Sequence, residues 1–229
     1  MPSMRVNDDF SARVLVHSSR LDWVPSPIVG VNRRMLDRMG GEVARATSVV
    51  SYAAHSSFSR HTHAGGEEFL VLDGIFSDEH GDYPVGTYVR NPPTSAHTPS
   101  SLGGCVIFVK LWQFDPTDRT PVVVDVAKTE AVTPAGRPGV TVAPLHTDDR
   151  EVVAVEVWAP GTVVSLPLPG GGELLVLDGT LTEANDELQR HSWLRLPVGG
   201  RLDARAGTQG ARVWLKTGHL RFVTPPAEA

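Results

Sequence analysis

The chain has 229 residues, a formal net charge of −5, 41% hydrophobic and 21% charged residues, 22 glycines and 18 prolines. No basic run breaks that acidic balance and no apolar stretch reaches the roughly eighteen residues of a membrane helix, which argues against nucleic acid or a bilayer as the main partner. The single cysteine, Cys105, excludes an intramolecular disulfide, and MPSMRVNDDFSARV lacks the charged-then-apolar order of a signal peptide, so a cytoplasmic location is expected.

In chain order, strand-like runs separated by Gly, Pro and Asp turns recur about every ten residues, which predicts an all-β fold. A first run covers residues 11–17, and a Pro-rich loop follows from Trp23. Residues 29–45 carry Gly40-Gly41, a turn between two strands. Residues 46–53 alternate and lead into RHTHAGGEEFLVLDGIF at 60–76. His61 and His63 stand two apart, so on an extended strand both imidazoles share one face. Glu67 has the same parity, and the flexible Ala64-Gly65-Gly66 step can swing its carboxylate back toward them. His97, in NPPTSAHTP, is the fourth candidate if a returning strand brings it beside the others. Imidazole with carboxylate suits Zn, Fe, Mn, Ni or Cu better than Ca or Mg. The alternative for the two histidines is a solvated polar face.

Residues 74–86 read as a hairpin turning at Glu79-His80-Gly81-Asp82. Asp78, Glu79, His80 and Asp82 there are expected to be solvated hairpin charges rather than a second metal cluster. Pro92-Pro93 stiffens the backbone ahead of His97, and residues 104–114 form an apolar strand in which Cys105 is expected to be a small core residue.

The spacing His61-x-His63, three residues, Glu67, six residues, Gly74, together with Gly86, five residues, Pro92 and then His97, resembles the paired cupin motifs. The wording GGEEFLVLDGIFSDEHGDYPVGTYVRNPP followed by GCVIFVKLWQFDP is similar, more narrowly, to the cupin-like domain of the ChrR anti-sigma factors over roughly residues 20–118. The resemblance implies a jelly-roll barrel in which His61, His63, Glu67 and His97 bind one divalent transition metal, Zn or Fe first, with Mn or Ni as alternatives. His55 and Thr94 depart from it, each standing where the motifs have glycine.

The chain also repeats itself. GGEEFLVLDG at 65–74 recurs as GGGELLVLDG at 170–179, and at the same offset Tyr88-VRNP matches Trp193-LRLP. Two tandem cupin jelly-roll barrels are therefore expected, a metal-binding barrel at 1–118 and a degenerate one at 119–229. In the second copy His61 becomes Leu166, His63 becomes Leu168, Glu67 becomes Gly172, and His97 becomes Leu202 or Asp203. That barrel is expected to hold no metal and to pack on the first, cover a sheet edge or build a homodimer surface. His17, His146, His191 and His219 lack ligand spacing and read as surface or hydrogen-bonded residues.

The resemblance implies a metal-dependent dioxygenase acting on a small carbonyl compound, with Phe69, Phe76, Tyr88 or Phe108 as pocket wall. No catalytic acid or base stands out, and Arg90 and Tyr83 are the candidates. The alternative is a non-catalytic metal, ligand or oxidative-stress sensor. A small-molecule partner is expected in either case. Sigma-factor binding is not expected, because the chain starts almost directly at the cupin and one cysteine cannot supply the zinc site of an anti-sigma domain.

Overall fold

The computed structural model describes residues 4–224. They are strands and turns, with helical structure among the described residues confined to the short 3-10 turns Ser18–Arg20, Val126–Lys128 and His219–Phe222. No helix among them is long and apolar enough to cross a membrane. Two compact units result among the described residues, the first from residues 4–8, 21–127 and 224, the second from 9–20 and 128–223. The fold is all-β, two tandem cupin jelly rolls, but the division falls after the expected 118/119 boundary. The reason is the strand Val122–Asp125, which pairs with Thr87–Asn91 of the first unit, Val124 opposite Tyr88.

A matching exchange occurs at the start of the chain. Val14–His17 precedes the first copy yet pairs with Ser192–Leu196 of the second unit, Leu15 opposite Leu194. Both exchanged strands run straight into a 3-10 turn, Ser18–Arg20 in one case and Val126–Lys128 in the other. Each unit is thus completed by the strand that leads into the other copy.

The sheet of the first unit runs Met4–Val6, Val31–Gly40, Ala44–Tyr52, Cys105–Leu111, Glu67–Asp78, Thr87–Asn91 and Val122–Asp125, with every neighbouring pair antiparallel. Alternation along Glu67–Asp78, reset by a one-residue bulge at Leu72 between the Val71–Ile107 and Asp73–Val106 pairs, sorts its side chains. Phe69, Val71 and Phe76 join Val50, Val89, Ile107 and Val109 in the barrel core, as does Cys105. Each such burial stabilises by about 1.5–3 kcal/mol. The opposite face carries Glu68, whose carboxylate accepts from the Tyr88 hydroxyl at 2.6 Å and from Arg90 at 3.3 Å. Tyr88 and Phe108 therefore face away from the barrel interior, and neither is pocket wall as expected. Strand parity decides this: Val89, Ile107 and Val109 take the inward positions.

The sheet of the second unit runs Val140–Thr147, Val152–Trp158, Gly200–Thr217, Gly172–Glu183, Ser192–Leu196 and Val14–His17. Its interior is hydrocarbon. Leu168, Leu174, Leu194, Leu202 and Leu215 are buried together, with Leu166 packed against them, and the void among them is only about 10 Å³. The strand register repeats between copies, Leu202 opposite Leu166 and Arg201 opposite Pro167, as His97 is opposite His61 and Ala96 opposite Thr62. Leu202 rather than Asp203 therefore stands at the position of His97.

Candidate metal centre

His61 lies on the short strand His61–Thr62, His97 on Ala96–His97, and Glu67 opens Glu67–Asp78. The first two strands pair directly. His63 follows, held through its backbone: its amide donates to the Ser95 carbonyl at 2.9 Å, and its carbonyl accepts from the Thr94 amide at 2.9 Å. The chain then reverses through Gly65 and Gly66. A Cβ on Gly65 would sit 2.2 Å from the Trp112 ring, and one on Gly66, whose φ is +77°, would sit 2.4 Å from Phe114. Only glycine fits this step, and the step returns Glu67 to the histidines.

The fold brings all four residues together. The three imidazoles stand at ring-centre separations of 4.8, 5.0 and 4.7 Å and interplanar angles of 73°, 72° and 75°. This is close to three-fold symmetry. Their ligand nitrogens lie within 4.8 Å of one another. Glu67 Oε2 lies 3.5 Å from His63 Nε2 and 3.7 Å from His97 Nε2, and it also accepts from Asn91 at 3.3 Å.

The tautomers follow from the partners. His61 Nδ1 donates to the Ser59 carbonyl at 3.3 Å and His97 Nδ1 donates to Asp78 Oδ2 at 3.1 Å, which leaves both Nε2 lone pairs free. His63 Nε2 is buried and meets no hydrogen-bond partner. An orphaned buried nitrogen facing a carboxylate and two further lone pairs fits a divalent cation, which would satisfy all four donors at once. Electrostatics agree with this. Burial, then the His61 charge, pushes the His63 pKa down to about 4, and burial lowers that of His97, so both imidazoles are neutral near pH 7. Burial raises the Glu67 pKa, with His97 opposing, and a cation would reverse that penalty.

Asp78 is the neighbour of the cluster that sequence reasoning missed. Read as one of a group of solvated hairpin charges, it is instead buried against His97 and anchored by the Tyr83 hydroxyl at 3.1 Å and the His80 amide at 2.8 Å. Tyr83, a candidate acid or base, is held protonated by burial and then by the Asp78 charge, its pKa pushed up to about 12. Arg90, the other candidate, pairs with Glu68 and Asp118 on the far side of the sheet, both at 3.3 Å. Neither acts on the cluster directly. Of the remaining histidines, His17 meets Ser192 at 2.9 Å and His219 donates to Glu173 at 3.0 Å. His146 gathers with Asp148 and Glu151, but Glu151 is already paired with Lys216 at 2.8 Å.

Residues 11–115 match the family described as the ChrR cupin-like domain. No curated protein matches the sequence. Among solved structures, a proposed dioxygenase from Nostoc punctiforme is similar with a TM-score of 0.74 and 12% identity, over 96% of this chain and 87% of that one. YlbA from Escherichia coli gives 0.70 and 14% identity, over 91% of each chain. The pirin YhhW from Escherichia coli, in complex with nickel(II), gives 0.64 and 12% identity, over 90% and 98%. These likenesses show the fold. The matched residues 11–115 contribute every residue of the His/Glu cluster, and the repeated second unit contributes none.

Proposed function

We propose that the first unit binds one divalent transition metal through His61, His63, Glu67 and His97, and that the chain works as a metal-dependent dioxygenase on a small carbonyl compound. The observation that carries this reading is the near three-fold set of imidazoles beside buried Glu67, with His63 Nε2 otherwise unpartnered. When bound, the metal supplies Lewis-acid chemistry and, as Fe(II), reaction with dioxygen. The residues do the rest. Ser59 and Asp78 orient two of the imidazoles, Glu67 offsets part of the cationic charge, and Phe69 and Phe76 keep water from the inner side. His61 is the exposed member, so substrate approaches from its side.

Elemental analysis of protein purified anaerobically without added metal tests the reading. About one Fe per chain and substrate-dependent oxygen uptake are expected, and His63→Ala should lower the metal content sharply. Full metal in that variant would refute the ligand set. A second reading, a metal or ligand sensor, draws support from the match to the ChrR domain. One Zn per chain with no oxygen uptake on β-diketones or hydroxyacetophenones would favour it.

A further inference from the structure

Two cavities of the first unit meet the imidazole cluster. The one at His61, of about 630 Å³, lies on the side of the proposed substrate approach. The other, of about 470 Å³, meets His97 at the flank of the barrel. It is bounded by the hairpin tip with His80 and Tyr83, the loop at residues 92–96, the strand Thr87–Asn91 and the segment 119–123. Its size lies within the range of about 300–1,000 Å³ typical of small-molecule sites.

The strand register explains why the flank is open. Val123 lies opposite Val89, so the two side chains share a face, and Val89 belongs to the barrel core. Val123 is nonetheless 58% exposed, because among the described residues Val122–Asp125 is the last strand of its sheet. The inward face of the barrel thus continues into the cavity, where Pro92, Pro93 and Pro121 add apolar wall. Hydrocarbon that covers this wall leaves water with a gain.

Charge gives the cavity a second requirement. Arg90 and Arg119 line it, and no Asp or Glu does. Arg90 is taken up by Glu68 and Asp118. Arg119 is held differently: its Nη1 donates to the Pro116 carbonyl at 2.9 Å and to the Asp118 carbonyl at 2.5 Å. Those bonds fix the guanidinium on its turn. Among the described residues nothing engages its Nε and Nη2, the adjacent donors that match the two oxygens of a carboxylate. An exposed arginine holds an anion weakly by itself, so tight binding needs the apolar wall as well. A small inorganic anion would gain nothing from that wall.

We infer that the 470 Å³ cavity binds a small aliphatic monocarboxylate, its oxygens on Nε and Nη2 of Arg119 and its hydrocarbon body against Val89, Val123, Pro92 and Pro121. The inference does not rest on the metal reading, since His97 is the one member of the cluster that lines this cavity.

Calorimetric titration of the full chain as purified, with hexanoate, hexanamide and acetate, tests this. Hexanoate should bind with a Kd of about 1 mM or tighter. Hexanamide, which lacks the charge, and acetate, which lacks the body, should each bind at least about tenfold more weakly. Arg119→Gln, at an exposed position, should weaken hexanoate about tenfold, to the level of hexanamide. Val123→Thr, which keeps a β-branched residue on the strand, should weaken hexanoate by about threefold or more. Metal content should be unchanged in both variants. Hexanoate that binds Arg119→Gln as tightly as the parent chain would put the carboxylate elsewhere, the metal centre included, and overturn the inference. Acetate or hexanamide binding as tightly as hexanoate, or no hexanoate binding at all, would overturn it too.

Discussion

His97 presents one nitrogen to the cluster because Asp78 holds the other. The carboxylate is itself fixed by Tyr83 and by the His80 amide, so the ring has little freedom to turn. Carboxylates behind ligating imidazoles typically adjust metal affinity by about 10–100-fold. Asp78→Ala should therefore raise the Kd for Zn(II) by about tenfold or more in a chelator competition, with circular dichroism unchanged. An unaltered Kd would remove Asp78 from the site. Thr94 and His55, the two departures from the glycines of the cupin motifs, both adopt left-handed backbone, with φ of 75° and 60°. The conformation that the motif glycines supply is retained without the glycine. Left-handed backbone costs a non-glycine residue about 1–2 kcal/mol, with a β-branched residue the worse case. Thr94→Gly should raise the unfolding free energy by about 1 kcal/mol in urea titration. A fall would mean that Thr94 side-chain contacts outweigh the strain.

At the scale of elements, the same strand pattern serves two outcomes. His61–Thr62 pairs with Ala96–His97 and Val163–Leu168 pairs with Gly200–Thr217 in one register. The donors on the first pair are replaced by leucines on the second, and these fill the barrel to a residual void of about 10 Å³. Leu168→Ala should open a cavity there and cost about 2–5 kcal/mol of stability, read from denaturant unfolding. Metal content should not change, and a change would mean that the second unit shares the site.

For the whole molecule, duplication has kept one face of the sheet and altered the other. Glu68, Arg90 and Lys110 of the first copy have buried counterparts in Glu173, Arg195 and Lys216, while the inward donors survive only in the first. Ligand binding stabilises the unit that binds, by about 2.7 kcal/mol at a hundredfold excess over Kd. Metal removal by chelation should accordingly lower hydrogen-exchange protection in Glu67–Asp78 and leave Gly172–Glu183 unchanged. Equal loss in both strands would mean that the units unfold as one.

How much of this was legible in the residues depended on distance along the chain. His61, His63 and Glu67 could be placed together because strand alternation and a two-glycine turn act over seven residues, and the repeat with its leucines marked the filled barrel. The tertiary structure decided what distant segments do to one another. It placed Asp78 behind His97, Tyr88 and Phe108 on the opposite face, and Leu202 rather than Asp203 in register with Leu166. It also carried Val14–His17 and Val122–Asp125 each into the unit of the other copy. Local alternation gives each side chain a face. Which face becomes an interior, and which strand closes it, is set by long-range pairing, whose free energy comes from burial shared between segments that carry no local mark of each other.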